Sequence, residues 1–119
     1  MKRIAVALLA ATALLGLTSS AQAFFKTSKG AAYCFYEGSI YCWTPNDGFT
    51  VQMTYRGRPT KRYYDSNAGR KPSGYPLLRY GKTKRYGKLR CTSRRTGLTC
   101  KNANDHGWWL GRYRGYRLF

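Results

Sequence analysis

Hydrophobic and polar residues alternate along this chain over short stretches, and Gly or Pro interrupts them every few residues. Alternation with a period of two is typical of half-buried β-strands, and the sequence has no amphipathic helical stretch of useful length. Strands are predicted over residues 31–36, 40–44, 49–55, 60–64, 75–80, 85–91, 98–102, 108–112 and 116–119. Many short strands at close spacing indicate an all-β fold: a small disulfide-stabilised antiparallel sheet, sandwich or partly open barrel.

The longest apolar run lies at the N-terminus and has a different pattern. Residues 1–3 are a charged n-region, residues 4–17 are an apolar h-region, and residues 21–23 are a small-residue cleavage site. The apolar run is shorter than the roughly 20 residues that a membrane span needs. We therefore expect residues 1–23 to be a cleaved signal peptide and residues 24–119 to form a single small β domain. That domain is expected in the periplasm or outside the cell.

Two of the four cysteines flank the first predicted hairpin. Aromatic and β-branched residues surround a Glu-Gly pair between Cys34 and Cys42. A three-residue loop over 37–39, with Gly38 or Ser39 in the left-handed conformation, places the two cysteines directly opposite each other. We therefore predict a local disulfide in this hairpin, which should contribute roughly 2–3 kcal/mol in the chain-entropy model.

The other two cysteines behave in the same way. A four-residue turn over 94–97 places Cys91 opposite Cys100 and predicts a second local disulfide. The alternative is a zinc site built from all four cysteines, but zinc ligands usually come in pairs of tighter spacing. Disulfides also suit an exported protein. The sequence therefore predicts no metal and no other cofactor.

Positive charge dominates the composition. The chain has 22 Lys and Arg against 4 Asp and Glu, which gives a formal net charge of +18 at pH 7. Without Lys2 and Arg3, 20 basic and 4 acidic residues remain, and the net charge is +16. Such an excess favours polyanion binding. The expected partner is an anionic polymer: lipopolysaccharide, acidic polysaccharide, anionic lipid or nucleic acid. The sequence leaves the choice among these, and the oligomeric state, open.

Basic residues and tyrosines interleave in three runs, over 55–64, 79–86 and 112–117. Cations beside aromatic faces are how proteins hold phosphodiesters and stack bases or sugars. The alternative is that the tyrosines fill the core and the cations form a solvated face. If the strands that flank the second cystine hairpin pair with it, two of these runs converge on its turn. The candidate polyanion-binding residues are Arg79, Lys82, Lys84, Arg85, Arg94, Arg95, Arg112, Arg114 and Arg117.

Residues that could catalyse a reaction are few. The carboxylates are Glu37, Asp47, Asp65 and Asp105, and the one histidine is His106. General acid–base catalysis needs at least two positioned titratable groups, and no spacing ties Glu37 to His106. We therefore predict a non-enzymatic protein in which His106 is structural. Two alternatives stay open: a secreted cationic effector acting on membranes, and a small secreted ribonuclease that uses Glu37 and His106.

A longer motif covers the C-terminal third of the chain. It reads Tyr80-Gly81, Cys91-Thr92-Ser93, Gly97-Leu98-Thr99-Cys100-Lys101-Asn102, His106-Gly107-Trp108-Trp109-Leu110 and Tyr116-Arg117-Leu118-Phe119. This pattern resembles the secreted bacterial family catalogued as domain of unknown function 6636, and residues 25–30, Cys34 and Cys42 are similar to its opening segment. That family commonly has two further cysteines in its middle part, which this chain lacks. The resemblance implies export and a shared fold, and it brings no biochemical activity with it.

Overall fold

The computed structural model describes residues 23–63 and 69–119. The predicted signal peptide, apart from Ala23, and the predicted strand end at Tyr64 lie outside these residues. The strands are β1 (Phe24–Thr27), β2 (Tyr33–Tyr36), β3 (Ile40–Trp43), β4 (Phe49–Met53), β5 (Thr60–Tyr63), β6 (Leu77–Leu78), β7 (Thr83–Tyr86), β8 (Leu89–Arg94), β9 (Gly97–Lys101), β10 (Gly107–Gly111) and β11 (Tyr116–Leu118). A short 3-10 helix spans Ser28–Gly30. Within the described ranges, no helix is long and apolar enough to cross a membrane.

The strands form two sheets, which confirms the all-β prediction. The first sheet has the order β5-β4-β3-β2-β1-β6, and the second has the order β11-β10-β9-β8-β7. All neighbouring strands run antiparallel except β1 and β6, which are parallel. The sheets do not close into a barrel. They share one core, so the sandwich is the correct one of the predicted architectures.

Both cystine hairpins have the predicted register. Cys34 lies opposite Cys42 and Cys91 lies opposite Cys100, and each pair forms a disulfide. Gly38 takes the left-handed position in the first turn, with a φ of 78°. Disulfides of this kind are typical of proteins in an oxidising environment, either extracellular or periplasmic.

Inward-facing residues of both sheets build the core between them. Phe25 and Val51 from the first sheet pack with Leu98, Trp108 and Leu110 from the second. These side chains are at most 2% exposed. Burying a large apolar side chain contributes about 1.5–3 kcal/mol, so this layer is the main source of stability for so small a domain.

A second aromatic layer covers the outer face of the first sheet. Tyr33 stacks on Trp43 with ring centroids 5.9 Å apart, and the ring of Tyr75 packs edge-on against both. The indole nitrogen of Trp43 donates a hydrogen bond to the backbone oxygen of Arg70 at 3.0 Å. The segment that contains Arg70 and Tyr75 therefore lies over the outer face of the first sheet and buries the rings there. As a result, the first sheet has buried aromatic side chains on both faces.

Three strand predictions differ from the structure. The predicted strand over 85–91 is wrong because a turn at Gly87 and Lys88 divides it between β7 and β8. Gly87 has a φ of 66°, and the backbone N–H of Lys88 donates to the Tyr55 hydroxyl at 2.8 Å. The predicted strand over 75–80 shortens to β6, and β1 was not predicted.

Candidate polyanion-binding face

The outward residues of the second sheet form a basic face. In β8, Leu89, Cys91 and Ser93 are buried, so Arg90 and Arg94 point to the opposite side, toward solvent. The register extends this outward side across all five strands. The basic face, as we define it, consists of Thr83, Arg85, Arg90, Thr92, Arg94, Thr99, Lys101, Trp109 and Arg117.

Cations occupy one row of the basic face. Arg85 is the register partner of Arg90, and Arg90 is the partner of Lys101. Neighbouring strands lie about 4.8 Å apart, so this row places three positive charges close together at right angles to the strands. Arg94 lies four residues beyond Arg90 on the same strand and the same face. Positive charge therefore extends in both directions over the surface.

A row of hydroxyl groups runs beside the cations. Thr83 pairs with Thr92, and Thr92 pairs with Thr99, which lies opposite Trp109. The hydroxyls of Thr83 and Thr92 are 2.8 Å apart and share a hydrogen bond. At the end of this row the guanidinium of Arg117 lies 5.9 Å from the centroid of the Trp109 ring. The row therefore offers neutral donors and acceptors and one aromatic plate next to the charges.

The basic face is concave near its centre. A groove of about 270 Å³ lies there, lined by Thr83, Arg85, Arg90, Thr92, Arg94, Thr99 and Lys101. Four of these seven side chains are cations, and no strand of the second sheet contains an acidic residue. A concave surface of one charge sign concentrates the electrostatic field and attracts ions of the opposite sign.

One carboxylate lies at the border of the groove. Asp105 forms an ion pair with Arg90 at 2.8 Å, and the hydrogen bond from Arg90 lowers the pKa of Asp105 below its ordinary value. Arg90 also donates to the backbone oxygens of Lys88 and Asn102. Its guanidinium is therefore fixed by the protein, whereas Arg85, Arg94 and Lys101 are exposed and available to a ligand.

The structure brings together some of the residues that the sequence singled out. Arg85, Arg94 and Arg117 lie on the basic face, as the predicted pairing of the flanking strands requires. Arg95 and Arg112 lie instead at the ring of Tyr80, 5.5 and 5.8 Å from its centroid. These five predicted residues therefore form two separate groups of cations.

The remaining predicted residues lie elsewhere. Lys84 is the register partner of buried Cys91 and belongs to the inner face, where burial lowers its pKa. Its ammonium lies 5.6 Å from the ring centroid of Tyr86. Exposed Arg79 and Lys82 precede β7, and Arg114 lies in the turn between β10 and β11. The prediction grouped cations that are close in the sequence, and it therefore included residues that do not share a surface.

Sequence reasoning missed six of the nine residues of the basic face. The residues that were not predicted are Thr83, Arg90, Thr92, Thr99, Lys101 and Trp109. Their signal was present, because the predicted cystine places Cys91 and Cys100 inward and strand alternation then turns their neighbours outward. Whether a residue lies an odd or an even number of positions from a disulfide cysteine on its strand is thus a better guide to this surface than the local density of charge.

The residues considered for catalysis have separate surroundings. Glu37 is exposed in the turn between β2 and β3. The backbone N–H of His106 donates to the side-chain oxygen of Asn102 at 3.1 Å, and its backbone oxygen accepts from the Asn102 N–H at 2.8 Å. Among the residues described, no ion pair joins Glu37 to His106. The assignment of a structural role to His106 stays a prediction.

Three cysteine sulfurs lie near one another in the core, those of Cys42, Cys91 and Cys100. A cysteine binds a metal ion as a thiolate, and each of these sulfurs is bonded in a disulfide. The cluster as it stands is therefore a packing contact between two cystines.

Comparison with known proteins identifies one family. Residues 47–119 match the family model described as "Family of unknown function (DUF6636)". This range begins after the first cystine hairpin and contains all of the second sheet. No curated protein and no solved structure matches the chain. Because the family match covers well over half of the sequence, the chain belongs to DUF6636, a family of unknown function.

Proposed function

We propose that this protein is exported and binds anionic polymers, without catalysis, through the basic face. The observation that carries the proposal is the arrangement of Arg85, Arg94 and Lys101 around one groove on a sheet whose strands have no acidic residue. The net charge of +16 that remains without Lys2 and Arg3 supports attraction of the polymer over a longer distance. The pattern at the N-terminus and the two disulfides support export.

The chemistry of the face favours recognition of a charged backbone. Arg presents a planar fork of donors that fits phosphate, sulfate or carboxylate oxygens in pairs. The threonine hydroxyls can bond to ester oxygens or to sugar hydroxyls, and Trp109 can pack against a ring. A β-sheet face presents no helix for reading bases in a groove, so we expect little sequence preference toward nucleic acid.

The proposal is tested by binding of labelled duplex DNA, lipopolysaccharide and polygalacturonate to the purified protein. Each phosphate contact releases counterions, so the affinity for duplex DNA should fall with log salt at a slope of about −0.9 per contact. Changing Arg85, Arg94 and Lys101 together to Gln should weaken binding and reduce that slope by up to about 2.7. The absence of salt-dependent binding to all three polymers would refute the proposal.

A control variant separates the face from the total charge. Arg56, Arg58 and Arg62 are exposed on the first sheet or the loop beside it. Changing these three to Gln removes the same charge without touching the basic face, and should weaken binding much less. Equal losses in the two triple variants would show that the polymer responds to net charge and not to this surface.

A further inference from the structure

A cleft opens beside the Gly111 end of β10, and its lining shares no residue with the groove of the basic face. Lys29 comes from the connection after β1, Asp47 from the turn between β3 and β4, and Arg112 and Tyr113 from the segment after β10. Lys71 also lines the cleft. The cavity has a volume of about 260 Å³. Pockets for small organic ligands start at about 300 Å³, so this cleft suits a single ring with one substituent.

The charges in the cleft fit a dianion. Lys29, Lys71 and Arg112 contribute three positive charges and Asp47 contributes one negative charge, which leaves a net charge of +2. Within residues 23–63 and 69–119, the one ion pair lies elsewhere, between β8 and the loop after β9. A phosphate monoester carries about −1.5 to −2 charges at pH 7, which is close to the opposite of this sum.

The backbone of Lys29 and the side chain of Asp47 have defined conformations. Lys29 has a φ of 61° and a ψ of 20°, which is the left-handed region that residues other than Gly rarely adopt. That conformation costs about 1–2 kcal/mol, and strain of this kind concentrates at binding sites. The carboxylate of Asp47 accepts a hydrogen bond from the hydroxyl of Thr44, which fixes the side chain against the turn.

Arg112 is held in place by its neighbours, and Tyr113 lies beside it. The guanidinium of Arg112 lies 5.8 Å from the ring centroid of Tyr80 and 4.9 Å from that of Tyr113. The backbone N–H of Arg112 donates to the oxygen of Thr96 at 3.0 Å. The side chain of Tyr113 is 77% exposed, so its ring offers an uncovered aromatic surface at the cleft. A cation and an aromatic plate therefore lie next to each other.

We propose that this cleft binds a sugar that carries a phosphate monoester. The phosphate lies among Lys29, Lys71 and Arg112, the sugar ring packs on Tyr113, and the carboxylate of Asp47 accepts a hydrogen bond from a sugar hydroxyl. This site goes beyond the proposed function, because it takes a single end group and is separate from the face that binds the polymer. The ligand is a free sugar phosphate or the phosphorylated end of a saccharide.

Glucose 6-phosphate is a suitable probe, titrated into the full chain and followed by calorimetry and by NMR signals of Tyr113. It should bind, whereas glucose should not, and inorganic phosphate should bind more weakly. Since the second pKa of the phosphate is about 6, affinity should fall as the pH is lowered from 7 to 5. The methyl diester of glucose 6-phosphate should bind weakly, which separates free and terminal monoesters from internal links. Equal binding of glucose 6-phosphate and its diester would overturn the proposal.

Variants place the ligand in the cleft. Lys71→Gln and Arg112→Gln should each weaken glucose 6-phosphate binding about tenfold, as expected for one hydrogen bond between charged groups. Tyr113→Ala should weaken binding of glucose 6-phosphate and leave that of inorganic phosphate unchanged. Arg94→Gln, on the basic face, is the control and should affect only polymer binding. Unchanged affinity in the Lys71 and Arg112 variants, or no binding at all, would overturn the site even if the polymer still binds the basic face.

Discussion

The sulfur of Cys42 lies within 4.8 Å of the sulfur of Cys91, so the two disulfides of this protein meet across its core. Each disulfide joins adjacent strands of one sheet, and the contact between them joins the two sheets. All four cysteines have no solvent exposure. The two hairpins that the sequence specifies locally are therefore also the point at which the sandwich is packed together.

Removing a disulfide should destabilise the protein, and the two removals should interact. Changing Cys91 and Cys100 together to Ala should lower the free energy of unfolding by about 2–5 kcal/mol, and so should the same change at Cys34 and Cys42. Because the disulfides touch, the quadruple variant should deviate from the sum by about 0.5–3 kcal/mol. Urea unfolding measures the free energy of unfolding of each variant, with trimethylamine oxide added to keep all variants folded at the start. Strictly additive losses would contradict the contact.

Lys61 joins the edge strands of the two sheets. Its ammonium lies 5.1, 4.6 and 4.3 Å from the ring centroids of Phe49, Tyr63 and Tyr116, and it donates a hydrogen bond to the Tyr116 hydroxyl. Phe49 belongs to β4 of the first sheet, and Lys61 and Tyr63 belong to β5 of the same sheet. Tyr116 belongs to β11 of the second sheet. The cation therefore ties the sheets together along one side of the sandwich.

Replacing Lys61 by Met should lower stability, because the aliphatic stem remains and the cation is lost. The hydrogen bonds to Tyr116 and Tyr63 raise the pKa of Lys61 above its ordinary value of 10.5. The stabilisation from the charge is thus fully present below pH 10.5 and is lost as the pH rises through the raised pKa. In thermal unfolding, the difference in melting temperature between wild type and Lys61→Met should therefore become smaller as the pH rises above 10.5. Arg62→Met, outside this contact, is the control, and a difference independent of pH would argue against a role of the charge.

The local part of the fold was predictable from the sequence. The cystine partners are only 8 and 9 residues apart, so turn length and strand alternation determine their register. The turn at Gly87 and Lys88 was missed because the predicted strand ran through Gly87, although Gly within a strand pattern is itself a turn signal. Its stabilising partner, the Tyr55 hydroxyl, is 33 residues away from Lys88 in the chain. Short-range patterns carry no information about such a contact.

The candidate site was predictable only in part, for a related reason. The charge runs included Arg85 and Arg94, which lie on the basic face, but they also included Lys84, which faces the opposite side of its strand. The cleft containing Lys29 and Lys71 depends on segments far apart in the sequence, and no local pattern brings them together. Charge composition therefore gives the sign of the surface charge, whereas the topology decides which charges share one surface.

Tyr86 should make the protein less stable in alkali. Its ring stacks on that of Tyr36 with centroids 4.4 Å apart, across the two sheets. Burial, with a smaller contribution from Tyr36, raises the pKa of Tyr86 from 10.0 to about 12. Between these values the folded protein keeps a proton that the unfolded chain has lost. Stability is therefore fully present below pH 10 and falls as the pH rises toward 12.

The change Tyr86→Phe tests this pH dependence, because it keeps the stacked ring and removes the titrating hydroxyl. The variant should lose less stability than wild type between neutral pH and pH 11, as measured by urea midpoints at each pH. Tyr113→Phe, at a side chain that is 77% exposed, should follow the wild-type curve. Parallel curves for wild type and Tyr86→Phe would show that another group causes the alkaline loss.

Asn102 holds the loop between β9 and β10 of the second sheet against the loop between β4 and β5 of the first sheet. Its side chain has no solvent exposure, and its amide nitrogen donates to the backbone oxygens of Thr54 and Gly57 at 3.0 and 2.7 Å. The side-chain oxygen accepts from the backbone N–H groups of Asn104 and His106. One buried amide thus satisfies four backbone groups, two in each loop.

Replacing Asn102 by Ala should therefore be among the most destabilising polar substitutions in this chain. A backbone group left buried without a partner costs about 1–3 kcal/mol, and water can reach only some of the four, so we expect a loss of about 3 kcal/mol or more. Asn104 is the matched control, since it is exposed and donates a single side-chain hydrogen bond to the Arg56 oxygen at 3.0 Å. Asn104→Ala should cost about 0.5–1.5 kcal/mol. Urea unfolding gives both values, and hydrogen exchange at the backbone N–H of residue 106 should accelerate only in the Asn102 variant. Similar small losses in the two variants would mean that the four bonds of Asn102 are replaced easily, and that the loops are held together by other contacts.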